Sequence, residues 1–323
     1  MFKTRITELF GIKYPIIAGG MHLLSRAELV ATVSNAGGMG ILASTTFETK
    51  EELREEIRKT RSLTNKPFGV NLNLFPMMRQ RSIKEDIDLF VDEDVEVVES
   101  SGASPEPYMP LLKEAGIKVI HKVPAVRFAR KAESVGVDAV AIVGFECAGH
   151  PGMDGVTSLI LVPLTVDALE IPVVAGGGFC DARSFVAALA LGAEGVVIGT
   201  RFVATHECVA HPEIKGLLIK ARETDTTLID RSLGLPMRVI KNKPAEKARE
   251  MDKRGASLGE LMTVISGALG RKAWIEGDID AGVVSIGMVV GRIHEIVSVK
   301  EVIDSIIEEA KDICKRLDLT LVS

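Results

Sequence analysis

The sequence lacks most of the features that mark membrane, secreted or nucleic-acid-binding proteins. Only 4% of its 323 residues are aromatic, and four cysteines in so long a chain do not make a disulfide framework. The formal net charge is −5, and Lys and Arg form no run with interleaved aromatics, so we expect no nucleic-acid partner. No apolar stretch reaches the roughly 18 residues needed to span a bilayer, so we also expect no membrane partner.

The start of the chain, residues 1–5, has no apolar core of the kind found in a signal peptide. We therefore expect a cytoplasmic protein. With 46% hydrophobic residues, the chain is long enough to bury a large core, as one large domain or two smaller ones.

Short apolar runs alternate with amphipathic segments up to about residue 200. Eight such runs at a spacing of about 25–30 residues favour a parallel (β/α)8 barrel, a TIM barrel, over the alternative of a doubly wound sheet. The first amphipathic segment begins with Ser25 and Glu28, a pair that predicts a capping box. Strands are predicted at 14–18, 39–42, 68–72, 95–99, 118–122, 139–143, 173–175 and 195–198, and helices at 26–36, 51–61, 84–91, 125–135 and 182–191.

The alternation stops after the eighth predicted strand. Residues 213–282 are rich in charge and predict helices at 213–224, 245–254 and 258–269, broken by 234–236 and by Gly270. We interpret them as an inserted helical lid domain over the barrel mouth. The barrel domain then comprises residues 1–212 and 283–323, and an amphipathic helix at 302–317 closes it.

Glycines follow the seventh and eighth predicted strands, where TIM barrels commonly bind phosphate groups. Small residues there let backbone N–H groups approach an anion, and Asp181 is expected to cap a helix that points its positive end at it. Turns that simply need glycine are the alternative explanation. The predicted phosphate-binding residues are Gly176, Gly177, Gly178, Gly199 and Thr200.

Three further strand ends carry residues suited to a flat ring. Gly20 and Met21 follow the first strand and permit close approach and packing. Asn71 and Asn73 lie two apart, so they share one face of the third strand, and their amides suit the edge of a heterocycle. Lys122 ends the fifth strand, where it is either the partner of an anion or a Schiff-base nucleophile.

His150 follows the sixth strand between glycines, which suits a proton-transfer group that must come close to a substrate. A purely structural histidine remains the alternative. Cys147 and His150, with the separate group at 206–211, also have spacings seen in zinc sites. One metal would need both groups to converge, however, so we expect no metal.

Several motifs resemble the nitronate monooxygenase (2-nitropropane dioxygenase-like) family over nearly the whole chain. The motif sequences are most similar to those of the bacterial NAD(P)H:quinone oxidoreductases of that family. Flavin-dependent enoyl-ACP reductases share the glycine–histidine loop. The motifs are Pro15-Ile16-Ile17-Ala18-Gly19-Gly20-Met21, Phe68-Gly69-Val70-Asn71-Leu72, Val119-Ile120-His121-Lys122, Phe145-Glu146-Cys147-Ala148-Gly149-His150-Pro151-Gly152, the run 199–205, and Ser285-x-Gly287-Met288-Val289.

The resemblance implies an FMN-binding barrel, with NADH or NADPH as electron donor and His150 as the catalytic residue. This sequence departs from the quinone-reductase motifs at His22, Val143 and Gly176, and in the loop 75–81, so the resemblance leaves the electron acceptor open. The residues implied to line the FMN are Gly20, Met21, Asn73, Lys122, Ala148, Gly149, Gly176, Gly178, Gly199 and Thr200, to which we add Asn71, Gly177 and Ser285.

We therefore expect an FMN-dependent oxidoreductase of small molecules that reduces a quinone by a ping-pong mechanism, with His150 as proton donor or orienting group. Three alternatives stay open. They are a nitronate monooxygenase that uses O2, an enoyl-thioester reductase, and a flavin-free Schiff-base aldolase that uses Lys122. A homodimer is compatible with all of them.

Overall fold

The structure, a computed structural model, describes residues 2–75 and 81–320. Its centre is a closed barrel of eight parallel strands in chain order, in which the last strand pairs with the first. The strands are β1 (Ile16–Ala18), β2 (Met39–Ala43), β3 (Gly69–Asn73), β4 (Val97–Ser101), β5 (Lys118–Val123), β6 (Ala139–Val143), β7 (Val173–Gly176) and β8 (Gly195–Ile198).

An outer layer of helices covers the barrel. The last helix of the chain packs against the helices that follow β1 and β7, so it completes this layer between β8 and β1. Within the described residues no helix is both long and apolar enough to cross a bilayer. The layer comprises α2 (Ala27–Asn35), α3 (Lys50–Leu63), α4 (Ile83–Asp92), α5 (Met109–Glu114), α6 (Val126–Ser134), α7 (Ser158–Val166), α8 (Ala182–Ala190) and α14 (Val299–Asp318).

The TIM barrel is the fold that the sequence predicted. Every predicted strand is present, with ends that shift by at most two residues. The expectation succeeds because both faces of a parallel barrel strand are buried, so each strand is a short, nearly continuous apolar run. The strand β6, for example, is buried at all five positions.

The predicted capping box at the start of α2 is wrong. The Ser25 hydroxyl accepts a hydrogen bond from the Met21 N–H at 2.9 Å and donates to the Gly19 carbonyl at 3.2 Å, so it is not available to the helix. The free N–H of Ala27 instead donates to the carboxylate of Glu56 on α3, at 2.8 Å. Ser25 therefore holds the loop after β1 rather than capping α2.

The sequence predicted only helices in the segment 213–282, and this prediction is wrong in part. The segment contains an antiparallel hairpin of β9 (Thr226–Ile229) and β10 (Met237–Ile240), in which Ile229 lies opposite Met237. The predicted break at 234–236 is the turn of this hairpin. Gly270 lies inside a helix, because the actual break is at Ser266. The helices of this segment are α10 (Pro212–Leu218), α11 (Lys243–Lys253), α12 (Leu258–Ile265) and α13 (Gly267–Glu276), and a short helix, α9 (Thr200–Val203), precedes it directly after β8.

The hairpin packs with α11 and α12 around a small hydrophobic core of its own. Ile229, Val239, Ala248 and Leu261 are fully buried in it. A short amphipathic hairpin is not stable in isolation, so these helices supply the apolar surface that it needs. The division of the chain into two domains stays a prediction.

A short helix near the start of the chain, α1 (Arg5–Phe10), was not foreseen. Its Ile6 and Phe10 pack against the side chains that point into the barrel at the amino ends of the strands, such as Met39 and Ile120. The Lys118 ammonium at the start of β5 donates to the Leu9 carbonyl at 2.7 Å. The helix α1 therefore closes the lower end of the barrel and leaves the carboxyl ends of the strands for ligands.

We predict that Phe10→Ala lowers the free energy of unfolding by about 3–5 kcal/mol, because it leaves a cavity at the closed end of the barrel. Chemical denaturation followed by circular dichroism measures this change. Leu319→Ala is the control, since that side chain is 84% exposed and should change stability by less than about 0.5 kcal/mol. Equal effects of the two substitutions would show that α1 does not seal the barrel.

Candidate functional site

A cavity of about 940 Å³ lies at the carboxyl ends of the barrel strands. Residues of the segment 213–282, which we call the hairpin segment, cover it on the other side. This volume is at the upper end of the range for small-molecule sites. The hairpin turn and the start of α13 line it from above. Of the predicted site residues, those that line the cavity are Gly20, Met21, Asn71, Asn73, Lys122, Ala148, Gly149, His150, Gly177, Gly178, Gly199, Thr200 and Ser285.

Gly176 is the predicted site residue that the structure does not place on the cavity wall. It lies inside the barrel, where an added Cβ would come within 2.6 Å of Val197 and 2.8 Å of Val143. Val143 and Gly176, two of the positions at which this sequence departs from the quinone-reductase motifs, are thus paired neighbours on β6 and β7. The glycine at 176 makes room for the two valines, so this side of the barrel interior is apolar.

The loops after β7 and β8 form an open glycine cradle. Gly177 and Gly178 have φ of 79° and 90°, a conformation that L side chains rarely adopt. An added Cβ on Gly178 or Gly199 would meet no atom closer than 3.8 Å, so neither residue is glycine for lack of space within the protein. This arrangement fits a ligand that lies directly against the backbone.

Two further contacts hold the cradle in place. Asp181 caps α8 as the sequence predicted, since its carboxylate accepts from the Ser184 N–H at 2.9 Å and also pairs with Arg292. The Thr200 hydroxyl accepts from the Gly287 N–H at 3.0 Å. The positive end of α8 and the loop after β8 are thereby fixed at the same edge of the cavity.

The floor of the cavity under the loop after β1 carries a buried carboxylate that the sequence analysis missed. Glu99 on β4 is 1% exposed and accepts a hydrogen bond from the Asn71 amide at 2.8 Å. An added Cβ on Gly20 would lie 2.9 Å from Asn71 and 3.2 Å from Glu99, so a glycine is required there. The feature of the sequence that could have identified Glu99 is an acidic residue within a predicted buried strand.

Lys122 reaches the same floor from β5. Its ammonium lies 3.2 Å from the Glu99 carboxylate, while part of the side chain is exposed to the cavity. The ammonium therefore sits in the cavity as a charged group with a fixed counterion. An imine would require this nitrogen to be free of that ion pair.

The loop after β6 is clamped by the hairpin above it. Gly149 and Arg238 exchange two backbone hydrogen bonds, of 2.6 and 3.2 Å. The buried Arg238 guanidinium also donates to the Phe145 carbonyl at 2.9 and 3.1 Å and stacks over the Phe145 ring. Arg238 could not be identified from the sequence, because it lies in a strand that was not predicted.

His150 projects from the clamped loop into the cavity. Its ring is exposed to the cavity and lies 4.8 Å from the ring of Phe75, measured between centroids. The surrounding protein walls, and secondly the positive charge of Lys122, lower its pKa to about 4. His150 is therefore neutral at pH 7, where it can accept a proton.

The groups considered for zinc do not converge. Among the described residues no cluster of three or more His, Cys, Asp or Glu side chains could hold a metal ion. Burial raises the pKa of the Cys147 thiol to about 12, so this thiol does not ionise at neutral pH. Cys147 is thus a neutral thiol at pH 7 in this arrangement.

Two other expectations concern the rim of the cavity. Asn73 accepts a hydrogen bond from the Phe75 N–H at 2.8 Å, so it shapes the loop after β3. Most of that loop, residues 76–80, lies outside the described residues. His22, a departure from the family wording, lines the cavity and lies 3.2 Å from the Thr45 hydroxyl.

We predict that His150 titrates with a midpoint of about 4 in the ligand-free protein. A 13C-labelled histidine NMR titration measures this, with His150→Gln used to assign the signal. His121, buried beneath the helices with a pKa also near 4, serves as an internal comparison. A His150 midpoint close to the ordinary value of 6.5 would show that the cavity walls and Lys122 do not lower its pKa.

Comparison with known proteins places this site in a family. The family model described as nitronate monooxygenase matches residues 3–309. A probable nitronate monooxygenase of Staphylococcus saprophyticus is 35% identical, over 77% of this chain and 82% of its own. The structure of FabK from Thermotoga maritima superimposes with a TM-score of 0.93 at 38% identity, covering 99% of this chain and 100% of that one.

A third relative carries a name that includes a thioester. The (3aS,4S,5R,7aS)-5-hydroxy-7a-methyl-1-oxo-octahydro-1H-indene-4-carboxyl-CoA dehydrogenase of Rhodococcus jostii is 35% identical over 98% of this chain and 97% of its own. These matches identify an enzyme, an oxidoreductase with a flavin cofactor. They do not name a quinone reductase, so that subgroup stays a prediction. The chain belongs to the nitronate monooxygenase family.

Proposed function

We propose that this protein binds FMN without a covalent bond, takes electrons from NADH or NADPH, and exchanges them with an acyl thioester at the carbon–carbon bond next to the carbonyl. The observation that carries the proposal is the placement of His150, on a loop clamped by the hairpin, at the mouth of a cavity large enough for a cofactor and a second ligand. The full-length relative named for a carboxyl-CoA substrate supports the thioester.

The residues present fit FMN. The glycine cradle is open on the cavity side, where a Cβ on Gly178 or Gly199 would meet no atom closer than 3.8 Å. Gly178, Gly199 and Thr200 would hold the phosphate, at the edge of the cavity where the N-terminus of α8 is also fixed. The residues that would line the rest of the cofactor are Gly20, Met21, Asn71, Asn73, Lys122, Ala148, Gly149, Gly177 and Ser285.

The side chains around the cavity divide the remaining tasks. FMN, when bound, supplies two-electron chemistry by accepting or giving up a hydride. Lys122 provides a fixed positive charge at the floor, held by Glu99. Leu235, Met237 and Ile265 of the hairpin segment cover the cavity from above and exclude water from it.

A neutral histidine suits proton exchange beside a thioester carbonyl. Desaturation removes a proton from the α carbon and a hydride from the β carbon, and reduction of the double bond returns both. His150 at pH 7 can accept the α proton and return it in the reverse direction.

The quinone reductase remains a second candidate on one observation. The rings of Phe75 and His150 lie side by side at the cavity mouth, tilted by 35°, and such a pair can pack against a flat aromatic acceptor. The nitronate activity stays a prediction from the family. The oxidoreductase relatives and the ion-paired Lys122 leave the aldolase alternative without support.

We predict that Gly199→Val yields folded protein that binds FMN at least tenfold more weakly, because the new side chain occupies the cofactor space. Gly199 is a better site for this test than Gly178, since its φ of −116° tolerates a side chain. Flavin absorbance of the purified protein and fluorescence titration of apoprotein measure the binding.

Gly216→Val on α10 is the matched control, because an added Cβ there meets nothing within 4 Å and the residue lies away from the cavity. This variant should keep its full flavin content. Normal FMN affinity in Gly199→Val would remove the phosphate assignment.

We predict that the protein, reduced anaerobically with NADH or NADPH, is reoxidised faster by a medium-chain trans-2-enoyl-CoA than by menadione. Rapid mixing followed at the flavin absorbance band measures the two rates. His150→Gln should slow reoxidation by the enoyl-CoA by about 10²–10⁴-fold and leave reduction by the nicotinamide within a few-fold.

The alternative activities would give different results. Reoxidation by menadione alone would establish the quinone candidate, and O2-dependent consumption of the nitronate would establish the monooxygenase. A His150→Gln variant that loses reduction by NADH or NADPH but keeps reoxidation would place His150 at the nicotinamide rather than at the acceptor.

A further inference from the structure

Glu99 is a buried carboxylate to which the family resemblance assigns no role. Its side chain is 1% exposed and lies between Asn71 on β3 and Lys122 on β5. The Asn71 amide donates to one carboxylate oxygen at 2.8 Å, and the Lys122 ammonium lies 3.2 Å from the other. An ionised group is costly to bury unless it is paired in this way.

Near the carboxyl ends of the strands, one half of the barrel interior is polar and the other half is apolar. Asn71, Glu99 and Lys122 form a polar half on β3, β4 and β5, whereas Val143 and Val197 form an apolar half on β6 and β8. Glu99 is the carboxylate that pairs with Lys122 in the described part of the chain.

We propose that Glu99 is a positioning residue, which fixes the Lys122 ammonium at the cavity floor and offsets its charge beneath the bound flavin ring. The inference rests on the proposed FMN site. The ion pair presents its positive end to the cavity, since Lys122 is 26% exposed and Glu99 lies behind it. The floor therefore attracts negative charge on the ligand, but less strongly than an unpaired lysine would.

Two isosteric substitutions separate the charge of this pair from its shape. Glu99→Gln keeps an oxygen that can accept from Asn71 and Lys122 but leaves a net positive floor. Lys122→Met keeps most of the side-chain volume but leaves a net negative floor. Because reduction makes a flavin more negative, the first substitution should raise the reduction potential of the bound flavin and the second should lower it.

The experiment measures the flavin midpoint potential and the FMN dissociation constant in wild type, Glu99→Gln, Lys122→Met and the double variant. We expect each single variant to change the preference for reduced over oxidised flavin by at least tenfold, which is about 30 mV for a two-electron couple. The two shifts should have opposite sign, and the double variant should return to within a factor of three of wild type.

Glu56→Gln is the matched control, because Glu56 is another buried glutamate, 8% exposed, that caps α2 away from the cavity. It should leave the potential unchanged. A purely structural Glu99 would weaken FMN binding without the opposite shifts. Shifts of the same sign in the two single variants, or no recovery in the double variant, would overturn the inference.

The failure of this inference is distinguishable from failure of the proposed function. If the protein does not bind FMN, wild type itself shows no flavin absorbance, and the proposed function fails. If wild type binds FMN and exchanges electrons with its acceptor while Glu99→Gln has the wild-type potential, only the role of Glu99 is wrong.

Discussion

The backbone pairing of Gly149 with Arg238 is the contact on which the site depends. It joins the loop that carries His150 to a hairpin almost ninety residues further along the chain, and the Arg238 side chain reinforces it at the Phe145 carbonyl. A loop at the end of a barrel strand is otherwise among the more mobile parts of a TIM barrel. Because this pairing fixes one wall of the cavity to its cover, the position of His150 and the closure of the site are set together.

The polar groups inside the barrel are stable because each has a partner. Glu99, Asn71 and Lys122 satisfy one another at the top of an interior that is otherwise filled by aliphatic side chains and closed below by α1. Burying a charge without a partner costs several kcal/mol, so removal of one member of this group leaves the others in an unfavourable state. Such a network keeps its geometry whether or not a ligand is present, which reduces the reorganisation that binding requires.

The sequence predicted the barrel well and the cover poorly, for physical reasons. A strand such as β6 is buried on both faces, so five consecutive apolar residues identify it. The hairpin strands β9 and β10 are four residues each and only partly buried, so their pattern is not distinct from that of a loop between helices. The glycines of the cradle could be identified from the sequence because a tight turn or a ligand at a strand end requires glycine locally. Their identification did not depend on residues distant in the chain.

Glu99 and Arg238 were not identified because their roles depend on pairing across the fold. A glutamate in a strand acquires meaning only when the register places Asn71 and Lys122 beside it. Ser25 shows the same limit, since a local capping pattern was present but the loop after β1 took its hydroxyl.

The helix α1, which seals the amino end of the barrel, has a kinetic consequence. Ligands cannot pass through the barrel, so with the proposed function the nicotinamide and the acceptor would both use the side covered by the hairpin segment. Two large molecules that share one approach to the same face of a cofactor occupy it in turn, and the first product has to depart before the second substrate can enter. Its departure can then be slower than either electron transfer, as in enzymes whose turnover is set by product release. On this basis, substitutions in the contact between cover and barrel would change turnover without altering any group that touches the substrate.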